Sequence, residues 1–546
     1  MNFFRIQLIA ALCLISIELL SQATMGLLSS TPENEEGYVL FAPNSSTTTY
    51  LIDKCGYKVH SWPGTRQPGM SVYLLEDGHL LRSGKLNNST FAVGGVGGII
   101  EKIDWEGNVV WSYSISSNLE CQHHDIHPMP NGNVLAIVFE LKTVAQATDA
   151  GRDPALLGNS FWSEKIVEIQ PSGTNGGTIV WEWHVWDHLV QSFDASKANY
   201  APVAEHPELL DINFGGGTAS DWLHLNGLDY NEELDQIVMS SRNRDEIWII
   251  DHSTTTAEAA THAGGNSGRG GDFLFRWGNP QVYGQGTAAD QTLFAQHNPT
   301  WIKQGFPDEG KLMVFNNGIQ RPGGNYSTVD VIEPATDASG AYLMDTSGIF
   351  LPQATSWIYS PTPTFYAMNI SGAQRLANGN TLICSGPQGT FIEVDYEGNT
   401  VWRYKSPSGQ LGAIATQGGT VAQNSVFRCT HYPVDYPAFN GHDLTPGAPI
   451  ELNPLAYDCN MLALEVDELE GVGVEVYPNP ASDKLQLNLT DHLINTPYTI
   501  YDAQGRVVLS GVVESSRIEI SVADLPPAFY TLQLAGRPGA LRFVKE

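Results

Sequence analysis

Positive charge is the scarcest commodity in this sequence: 28 Lys and Arg stand against 59 Asp and Glu, a formal net charge of −31 over 546 residues. Such a field repels phosphate backbones and anionic bilayers, so nucleic acid is excluded as the main partner. Charge of either sign is thin, at 16% of residues against about 25% in an ordinary globular chain. Cysteine is rare too, with 6 residues, and no CxxC or Cys/His spacing of a structural zinc site occurs. Hardly any helical periodicity is present, and no glycine-rich phosphate loop leads into a helix, which leaves a nucleotide-borne donor group without support. Gly (54) and Pro (31) are near their average share, so the chain reads as turn-rich and globular.

The one long apolar run opens the chain. MNFFR, IQLIAALCLISIELL and SQA form a basic start, an apolar stretch and a small-residue site, the plan of a secretory signal over residues 1–23. Glu18 interrupts the run before it reaches the roughly 20 residues of a membrane span. Removal of this segment leaves Cys55, Cys121, Cys384, Cys429 and Cys459, an odd number in an oxidising setting, so at least one is unpaired. Cys429 and Cys459 are the nearest pair and the candidate staple, although sequence does not fix connectivity.

Beyond that point a motif recurs: a strand ending in Trp or another aromatic, built around a tight turn. It appears in TYLIDKCGYKVHSW, EKIDWEGNVVWSY, EKIVEIQPSGTNGGTIVWEW, DEIWIIDHSTTT with FLFRWG, STVDVIEPATDASGAY with SWIYSP, and FIEVDYEGNTVWRYKSP. Partner strands such as MSVYLLEDGHLLRSG and AQRLANGNTLICSG lie between them, with Gly and Asn where hairpins need positive φ. Six four-stranded units predict an all-β fold, a six-bladed β-propeller over residues 36–460, with two stacked sandwiches as the competing arrangement.

An acidic linker over 461–475 precedes a change of character. VYPNPASDKLQLNL, YTIYDAQGRVVLSG and RIEISVADLPPAFYTLQLA alternate apolar and polar residues, predicting a small β-sandwich over 476–546. With YPNP at its start and RFVKE at its end, this stretch resembles the type IX secretion sorting domain. The resemblance implies passage across the outer membrane, with the secretion machinery as partner and a secreted or cell-surface location.

Unusual polar residues recur at one phase of the repeat. His123 and His124 precede LAIVFE, His224 and Asn226 precede QIVMSS, Arg242 follows that strand, and His297 precedes KLMVFN. Equivalent positions of successive blades would meet at one mouth of a propeller. His127, His206 and His252 fall outside this phase and read as structural, and Arg242 has Asp245 and Glu246 as alternative ion-pair partners.

HHDIHPMPNGN, the W-x-H-x-N run from Trp222 to Asn226, SSRN, the Gln296–His297 pair, NNG and NGNTLIC, in this order, resemble the bacterial arylsulfate sulfotransferases. The resemblance implies a six-bladed propeller that moves a sulfuryl group from an aryl sulfate to a phenol without a cofactor. It makes His297 the transiently sulfated nucleophile and places His224, Asn226 and Arg242 around the sulfuryl group. His124 becomes the remaining active-site histidine, with His123 as its alternative in register. An arylsulfatase-like hydrolase, a non-catalytic surface-binding propeller and a His-based metal site are the competing readings; the HHD run at 123–125 alone makes no metal set, so no metal is expected. The sequence leaves the oligomeric state open, with a homodimer one option.

Overall fold

Alternating apolar residues and short polar turns resolve into antiparallel sheets whose strands follow one another along the chain. The structure is a computed structural model describing residues 23–215, 217–361, 365–455, 459, 475–477, 480–489, 494–502, 506–534 and 540–545. Residues 1–22 of the expected signal and 461–474 of the expected linker lie outside the described residues. The chain divides into two compact units, Met1–Met461 and Leu462–Glu546.

Among the described residues, six sheets of four or five strands dominate the first unit, beside a two-stranded parallel pair of Leu189–Val190 and Leu210–Asp211. The second runs Pro68–Leu74, Leu80–Lys85, Gly98–Ile103, Val109–Ser114, and the third Glu120–Pro128, Val134–Lys142, Phe161–Ser172, Gly176–His184. The fourth has Leu225–Asn231, Gln236–Ser241, Glu246–Asp251 and Phe275–Trp277; the fifth has His297–Trp301, Leu312–Asn316, Thr328–Ile332 and Trp357–Tyr359. In each, the strands pair in chain order, joined by hairpins such as that at Gly132, whose φ of +84° a residue with a Cβ adopts only at a cost. The first and sixth sheets exchange chain ends. Val426–Tyr432, from the end of the unit, pairs with Tyr38–Pro43 ahead of Thr48–Asp53 and Lys58–Pro63. Gly26–Ser30, from its beginning, pairs with Thr400–Lys405 behind Gly372–Arg375, Thr381–Ser385 and Thr390–Val394.

Two series of hydrogen bonds join each sheet to the next. Along the leading strands, a polar side chain accepts a backbone N–H from the following sheet: Ser71 from Ile126 (3.2 Å), Asp125 from Leu228 (3.1 Å), Asp229 from Trp301 (2.8 Å), Asn298 from Ala373 (3.1 Å) and Gln374 from His431 (2.8 Å). The Tyr432 hydroxyl accepts from Leu74 N–H (2.8 Å), linking the first sheet to the second.

At the trailing strands the donor is tryptophan. Indole N–H groups of Trp62, Trp111, Trp183, Trp277, Trp357 and Trp402 donate to the carbonyls of Asp104, Gly176, Gly271, Pro352, Tyr396 and Lys54, each in the next segment and the last back in the first sheet. The aromatic that closes each sequence unit therefore serves as a seam residue. A buried indole N–H without an acceptor would cost about 1–3 kcal/mol, which explains why each is matched to a carbonyl.

The disulfide departs from expectation. Cys55 pairs with Cys459, their Cα atoms 5.3 Å apart, while Cys121, Cys384 and Cys429 are free and buried. Cys429 lies opposite Phe41 in the first sheet and its thiol meets that of Cys384, whereas Cys459 reaches the turn after Thr48–Asp53. Nearness along the chain misled because the exchange of chain ends brings residues 404 apart together.

In the second unit, Glu475–Tyr477, Lys484–Asn488 and Arg517–Ser521 form one sheet, and Pro497–Asp502, Val507–Val512, Ala528–Leu534 and Ala540–Lys545 another. Leu485, Leu487, Ile500, Ile520, Tyr530, Leu532 and Phe543 from both sheets share one core.

Candidate active site

Three consecutive leading strands carry the same irregularity. In Glu120–Pro128 the ladder skips between Gln122 and Ile126, and His124 has φ +50°. Before Leu225–Asn231, His224 has φ +54°, and the ladder skips across Asn226. In His297–Trp301 the ladder skips after His297, with Asn298 at φ +53°. A bulge with a left-handed residue re-aims side chains that a regular strand would point alternately to its two faces. Left-handed conformation at a non-glycine residue is strained, and here it falls on His124, on His224 and on Asn298, one residue past His297. Arg242 sits in the turn after Gln236–Ser241, its N–H donating to the His224 carbonyl (3.2 Å), which brings it to the same end of the fourth sheet.

His297 is the most constrained of the set. Its Nδ1 lies 2.7 Å from Asn317 Oδ1, and Asn317 Nδ2 donates to the carbonyls of Ala367 (2.7 Å) and Ile370 (3.0 Å). Those two donations fix the amide, so its oxygen faces the imidazole and Nδ1 must carry the proton. Nε2 is left with its lone pair. Burial lowers the His297 pKa to about 3, the positive charges of Arg242 and His224 push the same way, and the ring is neutral at physiological pH.

His224 has a different partner. Its Nδ1 stands 2.6 Å from Asp221 Oδ2, and the side chain keeps 15% exposure. A carboxylate on Nδ1 orients the ring, the arrangement of an imidazole that passes a proton through its other nitrogen.

His124 meets His224 edge to face at 4.6 Å and lies within electrostatic reach of His297 and Arg242. Burial and those positive neighbours hold its pKa well below the usual value, so it is a neutral polar group here. Gly95 covers the ring so closely that a Cβ there would lie 2.0–2.4 Å from imidazole atoms. His123 turns away from this cluster. It stacks on Phe139 at 3.5 Å, shares a proton between its Nδ1 and His124 Nδ1 (2.9 Å), and places Nε2 3.3 Å from Glu164 Oε1. Glu164 is fully buried, its pKa raised well above normal by that burial and by Asp221, and it accepts the Leu225 N–H (2.8 Å). It ties the His123 strand to the His224 strand.

Asn226 is fully buried, with Nδ2 donating to the Gln296 carbonyl (2.8 Å). Gln296 Nε2 reaches Ser240 Oγ and the carbonyls of Ser241 and Glu246, at 2.7–3.0 Å. The Arg242 guanidinium contacts Asn243 Oδ1 (3.2 Å), and among the described residues it forms no ion pair. Of its two alternative partners, Glu246 pairs with Arg276 at 2.6 Å, while Asp245 accepts from Ala295 and Gln291 and stays within electrostatic reach of Arg242 without a direct ion pair. The cation therefore keeps most of its N–H fork for an anion.

His124, His224, His297 and Arg242 thus come together, Asn226 braces the strand between them, and His123 supports from behind. His127, His206 and His252 pair with Asp229, Glu208, and Glu168 with Asp235, respectively. Sequence reading gave no role to Asn317, Asp221, Glu164 or Gly95. Asp221 stands three residues before His224, a spacing that invites pairing, whereas Glu164 and Gly95 carry no local signal.

The family model described as arylsulfotransferase matches residues 30–411, and that of a secretion system C-terminal sorting domain matches 475–541. No curated protein matches the chain. Among solved structures, a protein of unknown function from Bacteroides caccae aligns at 11% identity, over 73% of this chain and 99% of its own, with a TM-score of 0.39. A catalytically inactive virginiamycin B lyase from Staphylococcus aureus aligns at 10% identity, over 70% and 88%, with a TM-score of 0.31.

Proposed function

Because the chain belongs to the arylsulfotransferase family, we propose that its histidine cluster moves a sulfuryl group from an aryl sulfate to a phenolic acceptor through a sulfohistidine at His297. The observation that carries this reading is the Asn317 hydrogen bond, which leaves a neutral His297 with its Nε2 lone pair free. That lone pair attacks sulfur in line with the leaving group. The S–N bond forms as the S–O(aryl) bond breaks, and the electron pair departs with the phenolate. Charge in such a transition state spreads over the peripheral oxygens, where the Arg242 fork and neutral His124 would act.

We assign the mobile proton to His224. Asp221 holds the ring in place, and the ring gives a proton to the departing phenolate and later takes one from the acceptor phenol. His124 suits this task less, since burial and its cationic neighbours keep it neutral. Acceptor attack on the sulfohistidine then returns His297 to its starting state. The two series of seam hydrogen bonds, which run through six sheets and return to the first, support a six-bladed propeller as the scaffold. The sorting domain directs the protein out of the cell, to the surface or beyond.

A short pulse of aryl sulfate followed by intact-mass and peptide analysis tests the mechanism. One sulfuryl group on the peptide containing His297, absent in His297→Ala, is the expected result. Undiminished donor cleavage by His297→Ala would overturn it, and an unmodified chain that cleaves no donor would favour a binding module. Sulfated phenol formed in the presence of acceptor separates transfer from hydrolysis.

A further inference from the structure

Away from the leading strands, three residues with no spacing signal in the sequence converge. His188 follows the 3-10 turn Val185–Asp187, and His262 and Asp272 lie in the glycine-rich segment after the short helix Thr256–Ala259. Both imidazoles present Nδ1 to the same oxygen, Asp272 Oδ1, each at 2.8 Å. One ligand atom from each residue falls within 4.8 Å of the others, and the two rings stand nearly perpendicular, 84° apart with centroids at 5.9 Å.

The hydrogen-bond pattern suits a cation, whether a proton or a metal ion, between His188 Nδ1 and Asp272 Oδ1. His188 Nε2 lies 2.8 Å from the Ala259 carbonyl, which accepts its proton. A neutral His188 would then aim the Nδ1 lone pair at a carboxylate oxygen, two acceptors face to face with no donor between them. His188 is fully buried and Asp272 nearly so. The ring is held on both sides: it stacks on Trp183 (5.7 Å, 9°), and the Trp183 N–H donates to the Gly271 carbonyl (2.7 Å). Gly271 is required here, because a Cβ would stand 2.1 Å from the Ala259 oxygen and 2.6 Å from His188 Nε2. The glycine-rich segment thus closes tightly over His188, while His262, with 61% side-chain exposure, leaves one side open to solvent.

We propose that His188, His262 and Asp272 form a binding site for one divalent transition-metal ion of the zinc class. Two imidazole nitrogens and one carboxylate oxygen make a borderline donor set that suits Zn²⁺ and disfavours Ca²⁺ or Mg²⁺, which take oxygen ligands. Ligand atoms of a tetrahedral zinc site lie about 3.3 Å apart, so the two imidazole–carboxylate separations of 2.8 Å open by about half an ångström on binding, with all three ligand atoms already within 4.8 Å of one another. The Ala259 carbonyl is the outer partner that fixes the His188 tautomer, as metal-bound histidines usually require. A solvent water would complete the coordination beside exposed His262. The ion would pin the 260–272 segment to the fourth strand of the third sheet, giving it a bracing role separate from the histidines on the leading strands.

The test uses the full chain after chelator treatment and dialysis, titrated with Zn²⁺ at pH 7.5 by calorimetry and checked by elemental analysis. One Zn²⁺ per chain is expected, undisturbed by millimolar Ca²⁺, with binding lost as the pH falls to 5 and the imidazoles protonate. Zn²⁺ should raise the melting temperature of the wild type but not of His262→Ala, a variant at an exposed position that keeps the buried pair. His262→Ala and Asp272→Asn should each weaken binding by at least about tenfold. Failure to take up Zn²⁺, or uptake unchanged in both variants, would overturn the proposal and leave a buried imidazolium–aspartate pair in its place.

Discussion

At the scale of single residues, the histidines differ by what holds their Nδ1 atoms. An amide oxygen on His297 fixes a tautomer without adding charge, whereas His224 is oriented by a carboxylate that adds a negative charge beside the ring. Asp221→Asn should therefore slow the cleavage of phenyl sulfate far more than that of 4-nitrophenyl sulfate, because only the poorer leaving group needs the proton. Equal losses on both donors, measured as kcat/KM, would remove His224 from the acid role. The pKa of His297 also enters stability. The unfolded chain takes up its proton below about pH 6.5, but the folded ring resists until about pH 3. Its contribution to stability is thus full above pH 6.5 and falls with the pH, by about 1.4 kcal/mol per unit. Denaturant melts of the wild type and His297→Gln at pH 6 and pH 5 should differ in their pH dependence by about that amount, the wild type losing more.

At the scale of elements, strand order and the seam tryptophans were legible because both are local: alternation with period two, Gly and Asn in hairpins, and an aromatic at each unit's end. The bulges were not. Histidine at positive φ leaves no mark such as glycine does, so His124 and His224 could be placed on leading strands while their direction stayed hidden. Glu164 reads as one more strand residue until its carboxyl is found against Leu225 and His123. Covering elements matter as much as the strands themselves. Gly95→Ala would press a methyl group into the His124 ring at a φ of +84°. That change should cost about 1–2 kcal/mol of stability and lower donor cleavage roughly tenfold or more, read by thermal melts and initial rates on the same preparation.

At the scale of the whole molecule, the chain's own ends close the first unit twice, through exchanged strands and through the Cys55–Cys459 bond. A cross-link spanning 404 residues removes much freedom from the unfolded chain, and Cys459→Ser should lower the unfolding free energy by roughly 3–5 kcal/mol, measured by urea melts without reductant. The pairing was beyond sequence reading because it depends on where the last sheet meets the first. The second unit has its own core, so a chain ending at residue 461 should fold and cleave aryl sulfates at the full rate. Loss of activity on that truncation would show that the units depend on each other.

The same bond has a bearing on export. Once Cys55 and Cys459 are joined, the intervening chain is a covalent macrocycle, and a macrocycle cannot be drawn through a pore as one extended strand. A conduit that receives the oxidised protein must admit either two strands abreast or the folded body whole. The width of the outer-membrane passage, rather than an unfolding motor, then becomes the quantity that decides whether this cargo crosses.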